Sequence, residues 1–165
     1  MTAADDDQTR DGRPRIGGRR RTVARLAAVQ ALYQLELNPG LDAEAVVREF
    51  IAYRLNREIE GDQLAEADPA FFADIVRGVA ADQEWLDAQI AAALVEDWPL
   101  ARLDSVLRAI LRAGAFELRH RTDIPPRVSI SEYVSIAHAF FAGREPAFAN
   151  GVLDRLGRSW RLEEM

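Results

Sequence analysis

The chain has 165 residues, 48% of them apolar and 29% charged, with a formal net charge of −6. That length sets one domain, or two small halves sharing one core, and the balance is that of a soluble globular protein. There is no Cys and every basic residue is Arg, which excludes disulfides, thiolate metal sites, cysteine nucleophiles, a Walker A loop and a Schiff-base lysine.

Met1 to about Gly18 is rich in Asp, Gly and Arg and is expected to be a disordered extension (residues 1–18). A helical domain is expected over residues 19–160, with a short tail at 161–165. The domain opens on Arg19-Arg20-Arg21-Thr22-Val23-Ala24-Arg25, which runs without Gly or Pro into Leu26–Leu37. On a 3.6-residue period Arg21, Arg25, Val29 and Tyr33 share one row, and Gln30 and Gln34 share another. The remaining positions are mostly apolar, so the body of this helix is expected in the core and its basic end in solvent. Asn38-Pro39-Gly40 stops it. Asp42 can cap a second helix carrying Val46, Val47, Phe50, Ile51 and Leu55, which fades into a polar loop over Asn56–Asp68.

Asp68-Pro69 sets a cap before a proline at the first helical position. Helical spacing then continues from Phe71 to Val95, with room for a kink or a break at Gly78 and Asp82-Gln83, and Trp98-Pro99 ends the run. Leu103, Leu107, Ile110, Leu111, Gly114 and Leu118 form the sharpest apolar stripe, with Asp104 as its cap or as the partner of Arg108. Asp123-Ile124-Pro125-Pro126 breaks the chain. Ser129-Ile130-Ser131-Glu132 has capping-box spacing and opens a helix that Gly143 closes. Glu145-Pro146 begins a last helix ending near Gly157. Nothing alternates with period two for long enough to be a strand, so the expectation is all-α with six or seven helices.

Charge is unevenly spread. Residues 1–25 carry seven Arg against four Asp, on a chain that is acidic as a whole. A basic arm on an acidic body is either a localised anion site or a solvated tail; the acidic total argues against indiscriminate coating of nucleic acid. His120 and His138 fall on different helices without metal-site spacing, and the carboxylates of Asn56–Asp68 lack the order of an EF-hand. No catalytic residue, metal or cofactor is therefore expected. No apolar run reaches membrane-spanning length and no signal peptide is recognisable, so no membrane association and a cytoplasmic location are expected.

Three blocks resemble the NusB family of bacterial transcription antitermination factors. They are Arg25-Leu26-Ala27-Ala28-Val29-Gln30-Ala31-Leu32-Tyr33; Leu103-Asp104-Ser105-Val106-Leu107-Arg108-Ala109-Ile110-Leu111-Arg112, continuing to Glu117-Leu118, Ile124-Pro125 and Glu132; and Phe148-Ala149-Asn150-Gly151-Val152-Leu153-Asp154. The resemblance implies an all-helical fold of two small perpendicular bundles sharing a core. It implies binding of single-stranded boxA-type leader RNA from ribosomal RNA operons, jointly with a small-subunit ribosomal protein acting as NusE, in the transcription elongation complex. Carried across by position, Arg19, Arg20, Arg21 and Arg25 become phosphate contacts with Tyr33 nearby, and Phe148 falls where the family has an aromatic at the RNA and partner surface. Such roles suit single-stranded RNA, which asks for guanidinium on phosphate and an aromatic face for an unstacked base. The alternative expectation is a protein-interaction module, a homodimer that masks its basic face.

Overall fold

The computed structural model describes residues 16–55, 67–94 and 99–165. The expected disordered start before residue 16 and the polar loop, except Ala67 and Asp68, lie outside the described residues. Six α-helices follow one another: α1 (Ile16–Leu37), α2 (Ala43–Tyr53), α3 (Pro69–Ala93), α4 (Ser105–His120), α5 (Pro126–Phe140) and α6 (Glu145–Arg161). Short 3₁₀ turns occupy Leu100–Arg102 and Leu162–Glu164, and no strand occurs among the described residues.

Several ends follow directly from local chemistry. Asp68 accepts from the Phe71 amide at 3.0 Å, with Pro69 in the first turn of α3. Asp104 accepts from the Val106 amide at 2.8 Å and the Leu107 amide at 3.4 Å, so it caps α4. Arg108 turns elsewhere, to Glu36 of α1 at 2.7 Å. α3 carries its kink at Asp82, where φ is −125° and ψ is 21°.

Other ends differ from expectation. Asp42 stands at the N-cap of α2 without a side-chain cap bond. α5 ends at Phe140, ahead of Gly143, and α6 runs to Arg161 rather than ending near Gly157. α1 already runs at Ile16, through Gly17 and Gly18, a pair that disfavours helix by about 1 kcal/mol per residue and so masked the start. α5 begins at Pro126, not at Ser129: the second proline of Pro125-Pro126 takes the first helical position, where its missing N–H costs nothing. Ser129 and Glu132 are thereby placed inside the helix, available for bonds to other elements.

α4 is the hub. It packs on α1, α3, α5 and α6, and every residue from Ala109 to Leu118 is buried. Small residues at Ala109, Ala113, Gly114 and Ala115 let neighbours approach closely. A Cβ added to Gly114 would lie 2.9 Å from a Leu153 methyl of α6, and one on Gly78 of α3 would lie 2.1 Å from the Phe116 ring. α1, α2 and α3 pack on one another, as do α5 and α6, and α3 also meets α6 and α1 meets α5, so one continuous core is shared. Phe50 and Phe72 stack at 5.4 Å between α2 and α3. Arg112, inside the α4 surface, is neutralised by Asp87 of α3 at 2.7 and 2.9 Å. No described helix is long and apolar enough to cross a membrane.

Candidate nucleic-acid interface

The arginine-rich stretch forms the first turns of α1, and three contacts fix its backbone and flank. The Asp68 amide donates to the Arg20 carbonyl at 3.1 Å, tying the start of α3 to α1. The Thr22 hydroxyl donates to Glu132 of α5 at 2.8 Å. Arg19, Arg20 and Arg21 are half-buried, and the Arg21 guanidinium lies 5.1 Å from the centre of the Phe71 ring. The same ring takes Arg25 at 5.0 Å and Arg121 at 4.9 Å. Arg121, from the end of α4, is held by Asp123 at 3.0 Å and reaches Asp74 at 3.3 Å. That hydrogen-bonded pairing raises the Arg121 pKa and holds the Asp123 carboxyl below its ordinary range.

Arg25 departs from its expected place in solvent. It is 2% exposed, and it donates from Nε to both Glu117 oxygens at 3.1 and 3.0 Å and from Nη2 at 2.7 Å. Its Nη1 lies 3.2 Å from Glu132. Glu117, fully buried on α4, also accepts from Ser129 at 2.9 Å. Burial works against the Arg25 charge, but the hydrogen bonds and charge of Glu117 outweigh it and hold the pKa above its ordinary value. Burial likewise pushes the neighbouring Tyr133 phenol well up, with Glu117 adding to it. The physical reason is the row itself. Arg25 shares its face with Val29, which is 1% exposed, so that face turns into the core and a cation on it must be paired there. Arg25 therefore has no surface to offer a phosphate and acts as an internal tie.

Tyr33 emerges at the far end of the same row, 36% exposed and about 18 Å along the helix axis from Arg21. It lines a groove of about 560 Å³ with Gln30, Gln34, Arg54, Val106 and Phe140. Phe148 is half-buried against the core on α6, a helix that packs on α5, α4 and α3. The fold thus gathers Arg19–Arg21 at one end of α1, sets Tyr33 at the other, and keeps Phe148 on a different helix. Residue spacing had pointed to the Gln30–Gln34 pair but not to their groove. Arg121 escaped notice because only folding brings it to Phe71.

Among the described residues no group of His, Asp and Glu is arranged to hold a metal ion. His120 and His138 are both exposed, on α4 and α5, and the His120 Nε2 is 3.7 Å from Asp82.

Fold and surface define a class first: an all-helical binding domain, with arginines massed at one end of its first helix and an amide-and-aromatic groove further along. The family model described as NusB matches residues 22–158. The transcription antitermination protein NusB of Rhodopseudomonas palustris (strain BisB18) is 48% identical over 98% of this chain and 97% of its own length. Its counterpart from Caulobacter vibrioides is 53% identical over 86% of this chain and 94% of its own. That from Brucella ovis is 57% identical over 83% and 80%. The chain belongs to the NusB family of transcription antitermination proteins. Among solved structures, T. maritima NusB is 30% identical with a TM-score of 0.72, covering 87% of this chain and 95% of that one. A chain of the complex of antitermination factors NusB and NusE with double-stranded RNA has the same fold, with a TM-score of 0.70 at 23% identity over 86% of this chain and 98% of that one.

Proposed function

We propose that this chain is a cytoplasmic, non-catalytic RNA-binding factor that engages boxA-type leader RNA of ribosomal RNA operons, together with a small-subunit ribosomal protein acting as NusE, in the transcription elongation complex. The observation that carries the reading is the placement of Arg19, Arg20 and Arg21 on anchored turns of α1. Guanidinium forks on a backbone already tied to α3 and α5 meet phosphate with little ordering cost. Tyr33, with the amides of Gln30 and Gln34, offers an unstacked base a ring and hydrogen-bonding groups, and Phe148 offers a second ring. Arg25 serves the site from behind, by holding α1 in place. Family membership supports the same reading, as does the shared fold with a protein solved beside NusE and RNA.

Filter binding of boxA and scrambled single strands across salt concentrations, with and without the ribosomal protein, tests it. BoxA should bind more tightly than the scramble, and more tightly again with the protein present. Replacing Arg19, Arg20 and Arg21 by Ala should flatten the log–log salt slope by about 0.7 for each phosphate no longer neutralised. Unchanged slope and affinity in the triple variant would remove these arginines from the site. Equal binding of the two RNAs would sink boxA recognition.

A further inference from the structure

A chain of polar contacts runs from the edge of the arginine turn into the centre of the molecule. Glu117 sits fully buried in the hub helix and is its fixed point. Arg25 forks between Glu117 on α4 and Glu132 on α5, using Nε and Nη2 for the first and Nη1 for the second. The Glu132 Oε1 atom takes both the Arg25 Nη1 at 3.2 Å and the Thr22 hydroxyl at 2.8 Å. Thr22 and Arg25 are three residues apart on one helix face, directly after Arg19–Arg21.

Apolar packing alone is non-directional and lets a helix roll against its neighbours, whereas a planar fork between two carboxylates fixes its rotation. Rolling α1 by one residue would swing its side chains about 100° around the axis. We propose that Glu132 and Thr22, backed by Arg25 and Glu117, are positioning residues that set the direction in which Arg19–Arg21 are presented to RNA. The proposal rests on the RNA-binding reading above and adds that affinity depends on the seating of α5. Two carboxylates face the single Arg25 charge here, so the outer one, Glu132, also leaves negative charge at the root of the arginine turn. That charge offsets the mutual repulsion of the arginines. Glu132 keeps 24% of its side chain exposed, so it can be replaced without stranding a fully buried charge.

The test uses the full chain with Thr22→Val, Glu132→Ala and the double substitution, measured by boxA RNA titration across salt and by amide hydrogen exchange of the free protein. Each single variant should bind about three- to tenfold more weakly with an unchanged salt slope, because the same phosphates are met by a less pre-organised turn. The double variant should lose less than the sum of the two single losses, since Thr22 and Glu132 share one hydrogen bond. Exchange should rise in residues 19–25 and stay as in the parent in α3, α4 and α6. Parental affinity in Glu132→Ala, a flattened slope, strictly additive losses or unaltered exchange in residues 19–25 would each overturn the proposal. If the parent chain itself fails to bind boxA RNA, the functional reading fails separately, and the exchange result alone then decides whether Glu132 orders the turn.

Discussion

Replacing Arg25 with Met measures what holds α1 against α4. The substitution keeps an unbranched side chain of good helix propensity and leaves the Glu117 carboxylate with the neutral Ser129 hydroxyl and the Tyr133 phenol beside it. Glu117 is 0% exposed, so water cannot take over from the missing donors. Breaking such a pair from one side costs about 3–5 kcal/mol, because an uncompensated charge stays buried. Glu132, being partly exposed, is resolvated and adds little. For a domain whose total stability lies in the usual range of about 5–15 kcal/mol, the loss is a large fraction of the whole. Urea unfolding followed by far-UV circular dichroism should show the midpoint fall with the m-value retained. Adding Glu117→Leu should restore most of the loss, since a matched apolar pair removes both desolvated charges. A single-variant loss below about 1 kcal/mol, or a double variant no more stable than the single, would refute the claim that this pair is buried and mutually dependent.

Gly78→Ala should lower Tm by several degrees, checked by differential scanning calorimetry. The new methyl would meet three atoms of the Phe116 ring at 2.1–2.8 Å, an overlap deep enough to put the cost toward the upper end of about 1–3 kcal/mol, above the roughly 1 kcal/mol gained from replacing a helical glycine; a raised Tm would contradict the close approach of α3 and α4. Arg121→Ala should remove a small acid-sensitive contribution, visible in denaturation curves taken across pH. The Asp123 pKa is depressed from its ordinary 3.8, so the stability from this pair is present above that value and disappears as pH falls through the lowered one. Both groups reach solvent, which keeps the acid-sensitive part of the difference within about 1 kcal/mol at neutral pH, and the lost contact with Phe71 adds a part that does not change with pH. A parent–variant gap that widens on acidification would reverse the assigned sign.

The helical class, the main chain breaks and the two caps at Asp68 and Asp104 were written locally. Asn38-Pro39-Gly40, Asp68-Pro69 and Asp104 each act through atoms within a few residues, and the apolar stripe of α4 announced a buried helix. The three blocks around Arg25, Leu103–Arg112 and Asn150 carried the family resemblance, because they cover contiguous residues in order. Tertiary structure alone decided the direction of Arg25 and the work of Ser129 and Glu132. Spacing placed Arg25 beside both a basic cluster and an apolar row, and either could claim it. Its pairing with a carboxylate 92 residues away settled the matter. Ser129 and Glu132 fit a capping box equally well until Pro126 took the helix start and left them to face Glu117, Arg25 and Thr22. Local sequence sets which backbone states are cheap, but the partner of a charge that leaves water depends on which distant residue the fold brings within hydrogen-bonding distance.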